Sequence, residues 1–244
     1  MSENTIKGLV TVRSRSTRLP RKCFLPFGED NILSHVVKRA IWYGIEPIIC
    51  TTTNEEDNEI EELARRIGVR FFRGSEENKL KRWADCVNLF SIDWFHTVDA
   101  DDPFFDGNEM KRSMDLLKSG KFDVVSPTPS SSDGGASVGY SLTSNIVNEC
   151  VKDLDDDTDT EMMWDFLERL PGIAIKQLLD TEPKLNLRLT LDYEEDYWLL
   201  ESVRRILGNM ATREEINELF RSNPDLFRIN WFRNSEWKTA QQKK

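Results

Sequence analysis

Short apolar runs separated by longer stretches of helical periodicity set the rhythm of the first half of the chain. Gly8–Val12, Pro47–Thr51, Val69–Phe72, Trp94–Val98 and Asp123–Ser126 read as strands, and the patterns near 32–43, 56–67, 79–90 and 106–119 read as helices. Strand, helix and strand at this spacing predicts βαβ units, and hence an α/β fold whose mainly parallel sheet is flanked by helices. The acids in Asn54-Glu55-Glu56-Asp57 stand at a helix start, where the macrodipole favours negative charge.

After about residue 127 the rhythm changes. Pro127 to Gly135 is a turn-rich loop too long for a routine connector. A strand at 138–143, an acidic segment from Asp153 to Glu161, a helix near 160–169 and a strand near 173–179 are expected next. Leu187-Arg188-Leu189-Thr190-Leu191 alternates like a last sheet strand, and helices near 194–207 and 213–221 follow. With no internal repeat and no linker, residues 1–238 read as one domain with an inserted acceptor-side region over roughly 128–185, and 239–244 as a frayed tail.

Composition narrows the function classes. The 244 residues carry 33 Lys and Arg against 43 Asp and Glu, a net charge of −10, which argues against a nucleic-acid binder. No apolar stretch approaches the ~20 residues of a membrane span, and the first residues do not read as a signal peptide. Cys23, Cys50, Cys86 and Cys150 lie far apart without CxxC spacing, so reduced core thiols and a cytoplasmic location are expected. The charge is uneven. Residues 1–82 hold 15 cations and 12 acids, leaving 18 and 31 for the remainder. Arg13, Arg15, Arg18, Arg21 and Lys22 fall within ten residues that contain no acid, a pattern suited to a small, highly charged ligand.

Three groups of residues could carry chemistry. The loop Val12 to Lys22 directly follows the first strand, and ligands of open parallel sheets bind at strand carboxyl ends. Its guanidinium groups suit phosphate oxygens, Lys22 adds a point charge, and Ser14, Ser16 and Thr17 add donors. GxxxxGK[ST] and GxGxxG are both absent. At the end of the fourth strand, Asp99-Ala100-Asp101-Asp102 offers hard oxygen ligands of the kind Mg²⁺ takes from one or two carboxylates plus substrate phosphates. The plain alternative is capping of the next helix. Asp192 ends the 187–191 run and would reach the same sheet edge as Asp101, so that the two converge on one metal, as nucleotidyl transfer requires; an N-cap for the helix from 194 explains it almost as well. His35 and His96 read as packing residues, and the acids of 153–159 as a solvated face.

At these residues the chain resembles the cytidylyltransferase family that includes 3-deoxy-manno-octulosonate and acylneuraminate cytidylyltransferases, most of all its spore-coat-polysaccharide branch. The pattern R-x-x-S-T-R-L-P-x-K is matched by Arg13, Ser16, Thr17, Arg18, Leu19, Pro20 and Lys22, and F-R-G-S-E by Phe72 to Glu76. Ala100-Asp101-Asp102-Pro103 matches G-D-x-P in part, and Arg188 to Asp192 with Glu195 and Asp196 matches R-L-T-V-D-x-x-E-D. The resemblance implies a Rossmann-like nucleotidyltransferase (GT-A-type) fold that condenses CTP with a small anionic acceptor and releases pyrophosphate. It implies that Arg13 and Lys22 hold the triphosphate, with Val12, Ser14 and Arg18 beside them. Thr51, Thr52, Arg73 and Ser75 would line the cytidine side, and Asp101 and Asp192 would hold Mg²⁺. Arg13, Lys22 and Asp101 are thus the expected catalytic residues, and Arg188 and Glu161 the candidate acceptor contacts. Related enzymes are often dimers, and strands of the second half are candidates to pair in a homodimer.

The chain departs from the family pattern in three places. Arg21 stands where the family has Gly before the loop Lys, Ala100 where it has Gly before the metal Asp, and Asp133-Gly134-Gly135-Ala136-Ser137 lacks a second acid near 136. Two other classes stay open on sequence: a GT-A-type glycosyltransferase using Asp99-Ala100-Asp101 as a DxD motif, and an inactive nucleotide-binding protein of the same fold.

Overall fold

A computed structural model describes residues 5–134 and 138–241. The first half runs β1 (Ile6–Thr11), two short strands β2 (Pro26–Phe27) and β3 (Asp30–Asn31), α1 (Ile32–Trp42), β4 (Ile45–Thr52), α2 (Asn58–Ile67), β5 (Arg70–Gly74), α3 (Lys79–Leu89), β6 (Trp94–Asp99) and α4 (Gly107–Leu116). The second half adds β7 (Val124–Ser126), α5 (Pro129–Ser132), β8 (Ser141–Thr143), α6 (Ser144–Val151), α7 (Trp164–Leu167), β9 (Ile175–Gln177), α8 (Glu194–Leu207), α9 (Arg213–Ser222) and α10 (Arg233–Gln241). The main sheet has the order β5-β4-β1-β6-β8-β7-β9, and β8 alone runs antiparallel to its neighbours. The expected α/β fold with a mainly parallel sheet is therefore present.

Local chemistry sets the element ends. Asn31 caps α1 by accepting from the Ser34 N–H at 2.8 Å, and Asn78 caps α3 by accepting from the Lys81 N–H at 2.9 Å. Gly68, at φ +72°, closes α2 in the left-handed conformation that glycine adopts without penalty. Strand alternation then distributes the core between the two faces of the sheet. Val10 and Ile49 point to the side covered by α1 and α2, whereas Leu9, Ile48 and Cys50 point to the side covered by α3 and α6. A third cluster, with Leu199, Leu200 and Ile216, joins α8 and α9 to Phe27 and Phe104.

The two histidines are core residues, as their apolar surroundings suggested. His96 is fully buried; its Nε2 faces the Val138 carbonyl at 2.5 Å and its Nδ1 the Ser141 hydroxyl at 2.8 Å, which ties β6 to β8 in the neutral form. His35 Nε2 donates to Pro103 O at 2.9 Å, and since a carbonyl only accepts, this nitrogen carries the proton. Burial lowers both from the ordinary 6.5 to about 4. The unfolded chain then takes up these protons first. The stability they contribute is complete above pH 6.5 and is lost as pH falls towards 4, by about 3 kcal/mol for each histidine. The urea midpoint is expected to drop between pH 7.5 and 5 in wild type and to drop less in His35→Asn. A variant with the wild-type slope contradicts this assignment.

The second half departs from the pattern in instructive ways. Leu187–Leu191 joins no sheet. Its leucines alternate into the third cluster, but Leu189 N–H donates to Gly134 O (2.9 Å) and Leu191 N–H to Asp101 O (2.7 Å), two loops and not one strand. A period of two reports extended backbone; whether a ladder forms depends on what lies alongside. The helix near 160–169 shrinks to α7, the strand near 173–179 to β9, and α6 occupies a stretch with no expected helix. α10 runs to Gln241, the last described residue. Among the described residues no helix is long and apolar enough to cross a membrane.

Candidate active site

Because β1 lies between β4 and β6, the chain leaves it in opposite directions on its two sides, and a crevice opens at the carboxyl ends of these strands. Thr11 pairs in register with Cys50 and with Asp99, so the loop after β1 and the acids after β6 emerge side by side. They border a cavity of about 970 Å³. Arg13, Ser14, Arg18 and Lys22 line it, as do Asp101, Asp192 and Glu161.

Lys22 stands at its centre. Its ammonium donates to Asp101 Oδ2 at 2.5 Å, Asp192 Oδ1 at 2.8 Å and the Leu191 carbonyl at 2.8 Å, which satisfies all three N–H groups. Burial opposes the charge, but the two carboxylates outweigh it and hold the pKa above the usual lysine value. Each other cation of the loop also meets a carboxylate: Arg13 meets Glu161 (3.5 Å), Arg15 meets Glu56 (3.0 Å), Arg18 meets Asp192 (3.1 Å) and Arg21 meets Glu59 (2.6 Å). The basic loop is thus neutralised internally by five acids, Glu56, Glu59, Asp101, Glu161 and Asp192, and a phosphate ligand would have to displace them.

The acids after β6 differ in their state. Burial and the neighbouring Asp101 carboxylate raise Asp99 to about 6, with Lys79 pulling the other way. Burial raises Asp102 well above the carboxylate range, and its Oδ1 is buried without a hydrogen-bond partner. Among the described residues no group of three His, Cys, Asp or Glu side chains forms a metal cage. Asp101 and Asp192 do face one cation between them, which is the donor set expected for Mg²⁺ completed by water and phosphate oxygens.

The two glycine replacements behave differently. Arg21 adopts φ +55°, ψ +28°, the left-handed region where a side chain costs about 1 kcal/mol or more and where glycine is at ease. Its ion pair with Glu59 and its stacking on Phe24 compensate at the surface. Ala100 has no positive φ, so its methyl group is tolerated; it packs in the core while its N–H donates to Thr11 O at 3.3 Å. The missing acid near 136 lies outside the described residues, and Asp133 itself is held by Lys184 and Lys238.

Several expected site residues lie elsewhere. Thr51 and Thr52 are buried, and their hydroxyls donate to Asp57 at 3.1 and 2.5 Å. Arg73 donates to the carbonyls of Thr52 (2.8 Å) and Asn54 (2.6 Å), and Ser75 to that of Asp156 (2.9 Å), so none of the four borders the cavity. Arg188 is fully buried and grips Asp196 with two bonds of 2.8 and 3.0 Å. It approaches the cavity only through Asp192, 3.7 Å away. Glu161 does reach it, although not from a helix: its segment is strapped to the start of α3, where Thr160 Oγ1 accepts from Leu80 N–H at 2.9 Å and Asn78 Nδ2 donates to Asp155 O at 2.9 Å. The acids of 153–159 are exposed as read, while their backbone docks. Trp83, Trp164, Tyr140, Lys79 and Arg82 also line the cavity, and no motif marked them.

Comparison with known proteins agrees with this geometry. The chain is 25% identical over 236 residues to the Bacillus subtilis spore coat polysaccharide biosynthesis protein SpsF, covering 91% of this chain and 96% of that one. A cytidylyltransferase from Leptospira borgpetersenii superposes with a TM-score of 0.81 at 23% identity, over 91% of this chain and 96% of its own. A CMP:2-keto-3-deoxy-manno-octonic acid synthetase in complex with CTP superposes with a TM-score of 0.59 at 12% identity, over 85% and 100%. The cytidylyltransferase family model matches residues 8–171, from β1 through the acids after β6 to the segment that carries Glu161, and the chain belongs to the cytidylyltransferase family.

Proposed function

We propose that the protein transfers CMP from CTP to a small anionic acceptor, an acidic sugar or a phosphorylated or phosphonate compound, and releases pyrophosphate. The observation that carries this reading is the position of Lys22 between Asp101 and Asp192 in a crevice also lined by Arg13, Arg15, Arg18 and Arg21. On CTP binding, Arg13, Arg18 and Lys22 exchange their carboxylate partners for phosphate oxygens, while the N–H groups of Val12 and Ser14 stay on the Cys50 carbonyl and on Asp57 and hold the loop in place. Asp101 and Asp192, freed from Lys22, would hold Mg²⁺, which when bound supplies charge neutralisation at the α-phosphate and the leaving pyrophosphate. An acceptor oxygen attacks the α-phosphorus in line, the bond from that phosphorus to the bridging oxygen breaks, and the pyrophosphate leaves on Lys22 and Arg13. The residues thus act by positioning and electrostatics. The polysaccharide role in the name of the Bacillus relative supports a sugar acceptor. Glu161 is the nearer of the two candidate acceptor contacts, and Arg188 acts through Asp192.

Pyrophosphate release assayed with each NTP, with and without Mg²⁺, over a panel of such acceptors tests the reading. CTP alone is expected to support release, and its affinity to fall at least about tenfold without the metal, because Asp101 and Asp192 would then face the phosphates uncompensated. Consumption of a nucleotide sugar without pyrophosphate would favour the glycosyltransferase class, and metal-independent CTP binding would remove the roles given to Asp101 and Asp192.

A further inference from the structure

Asp57 ends a short helical turn, Glu55–Asp57, ahead of α2, and only 2% of it is exposed. Its carboxylate joins three segments. Oδ1 accepts from the Ser14 N–H at 2.8 Å and the Ser14 hydroxyl at 2.6 Å; Oδ2 accepts from the Thr51 and Thr52 hydroxyls at 3.1 and 2.5 Å and from the Thr52 N–H at 3.4 Å. Burial alone would raise the Asp57 pKa, but these bonds, those from Ser14 foremost, hold it below the usual value.

Ser14 lies between Arg13 and Arg15. Both arginines keep well-exposed ion pairs, with side chains 39% and 59% exposed, of the kind that yields to a better anion. Ser14 itself is 6% exposed, so the anchored backbone at Ser14, more than any arginine partner, sets where the two guanidinium groups project. From this geometry we infer that Asp57 is a positioning residue for the phosphate-binding loop, acting through Ser14, and that Thr51 and Thr52 serve this carboxylate and not the nucleobase. The inference rests on the nucleotide-binding reading above. An amide cannot replace the carboxylate here. Backbone N–H groups approach both oxygens, from Ser14 on one side and Thr52 on the other, so either orientation of an asparagine sets a donor against a donor.

The test compares wild type, Asp57→Asn, Ser14→Ala and the double variant, below the unfolding temperature of each. CTP with Mg²⁺ and inorganic tripolyphosphate serve as titrants, and KM and kcat for pyrophosphate release are measured in parallel. Asp57→Asn is expected to weaken both titrants and raise KM for CTP about tenfold or more, with a smaller fall in kcat, since Lys22 still holds the leaving pyrophosphate when Arg13 is displaced. Ser14→Ala reproduces most of this, and the double variant is no worse than Asp57→Asn alone. Should Asp57→Asn not fold, Ser14→Ala carries the test. A folded Asp57→Asn that binds both titrants like wild type, or effects that add in the double variant, overturns the inference while leaving the reaction intact. Wild-type protein that binds tripolyphosphate, loses it in Asp57→Asn and transfers no CMP overturns the reaction and leaves the inference standing. Wild type that binds neither titrant overturns both.

Discussion

Lys22→Ala is expected to lower kcat/KM for CTP-dependent pyrophosphate release by about 10³-fold, the scale seen when a charged donor to a developing oxyanion is removed from a water-poor site. Two losses combine. The triphosphate loses an ammonium that lines the crevice beside the acids, and Asp101 and Asp192 lose the cation they share at 2.5 and 2.8 Å. Arg18 still reaches Asp192 at 3.1 Å, so the fold is expected to survive and the deficit to appear as activity. Lys22→Arg is expected to recover only part of it. A planar fork cannot aim three separate N–H groups at Asp101, Asp192 and the Leu191 carbonyl as an ammonium does. Steady-state assays with saturating metal check this, and a Lys22→Ala enzyme within tenfold of wild type would remove Lys22 from the catalytic set.

Asp196→Ala is expected to cost about 3–5 kcal/mol of stability, because it strips a fully buried guanidinium of its bidentate partner. Arg188 and Asp196 are both at 0% exposure and meet through bonds of 2.8 and 3.0 Å. Asp196 also accepts from the N–H groups of Asp192 and Tyr193, each at 2.9 Å, and from the Asn230 amide at 2.9 Å. Removing it therefore orphans the start of α8 and one anchor of the chain's last segments as well as Arg188. Domains of this kind are stable by only ~5–15 kcal/mol, so urea unfolding is expected to show a large drop in midpoint. A loss below about 1 kcal/mol would show that water or a moved side chain replaces the carboxylate. Asp192 follows Arg188 at 3.7 Å, so partially folded Asp196→Ala protein is expected to bind metal-bound nucleotide weakly as well.

How far the residues alone announced this arrangement varies along the chain. The βαβ half was legible because its central strand β4 is buried on both faces, and runs such as Pro47–Thr51 stand out against amphipathic helices. Between residues 127 and 180, α5, α7, β8 and β9 have only three or four residues each, too few for a period to register. The segment 187–191 had a clear period and still formed no ladder, since no strand lies beside it.

The site divides in the same way. Clustered charge near β1 and after β6 announced Arg13, Lys22 and Asp101, the end of the 187–191 run announced Asp192, and all four line one cavity. Arg73, Ser75, Thr51 and Thr52 carried similar polar character, and the fold directs them at backbone carbonyls and at Asp57. Asp57 was indistinguishable from its acidic neighbours Glu55 and Glu56, both of which are exposed.

By itself, then, the amino-acid order determined the sheet-forming half of the fold, the place of the basic loop at its edge and the identity of the opposed charges, because local periodicity and charge density are properties of neighbouring residues. Tertiary structure alone decided which acid meets which base. Lys22 meets Asp192 across 170 residues and Ser14 meets Asp57 across 43, contacts that exist only once the sheet has brought distant loops to one edge and removed enough water for the pairing to be strong.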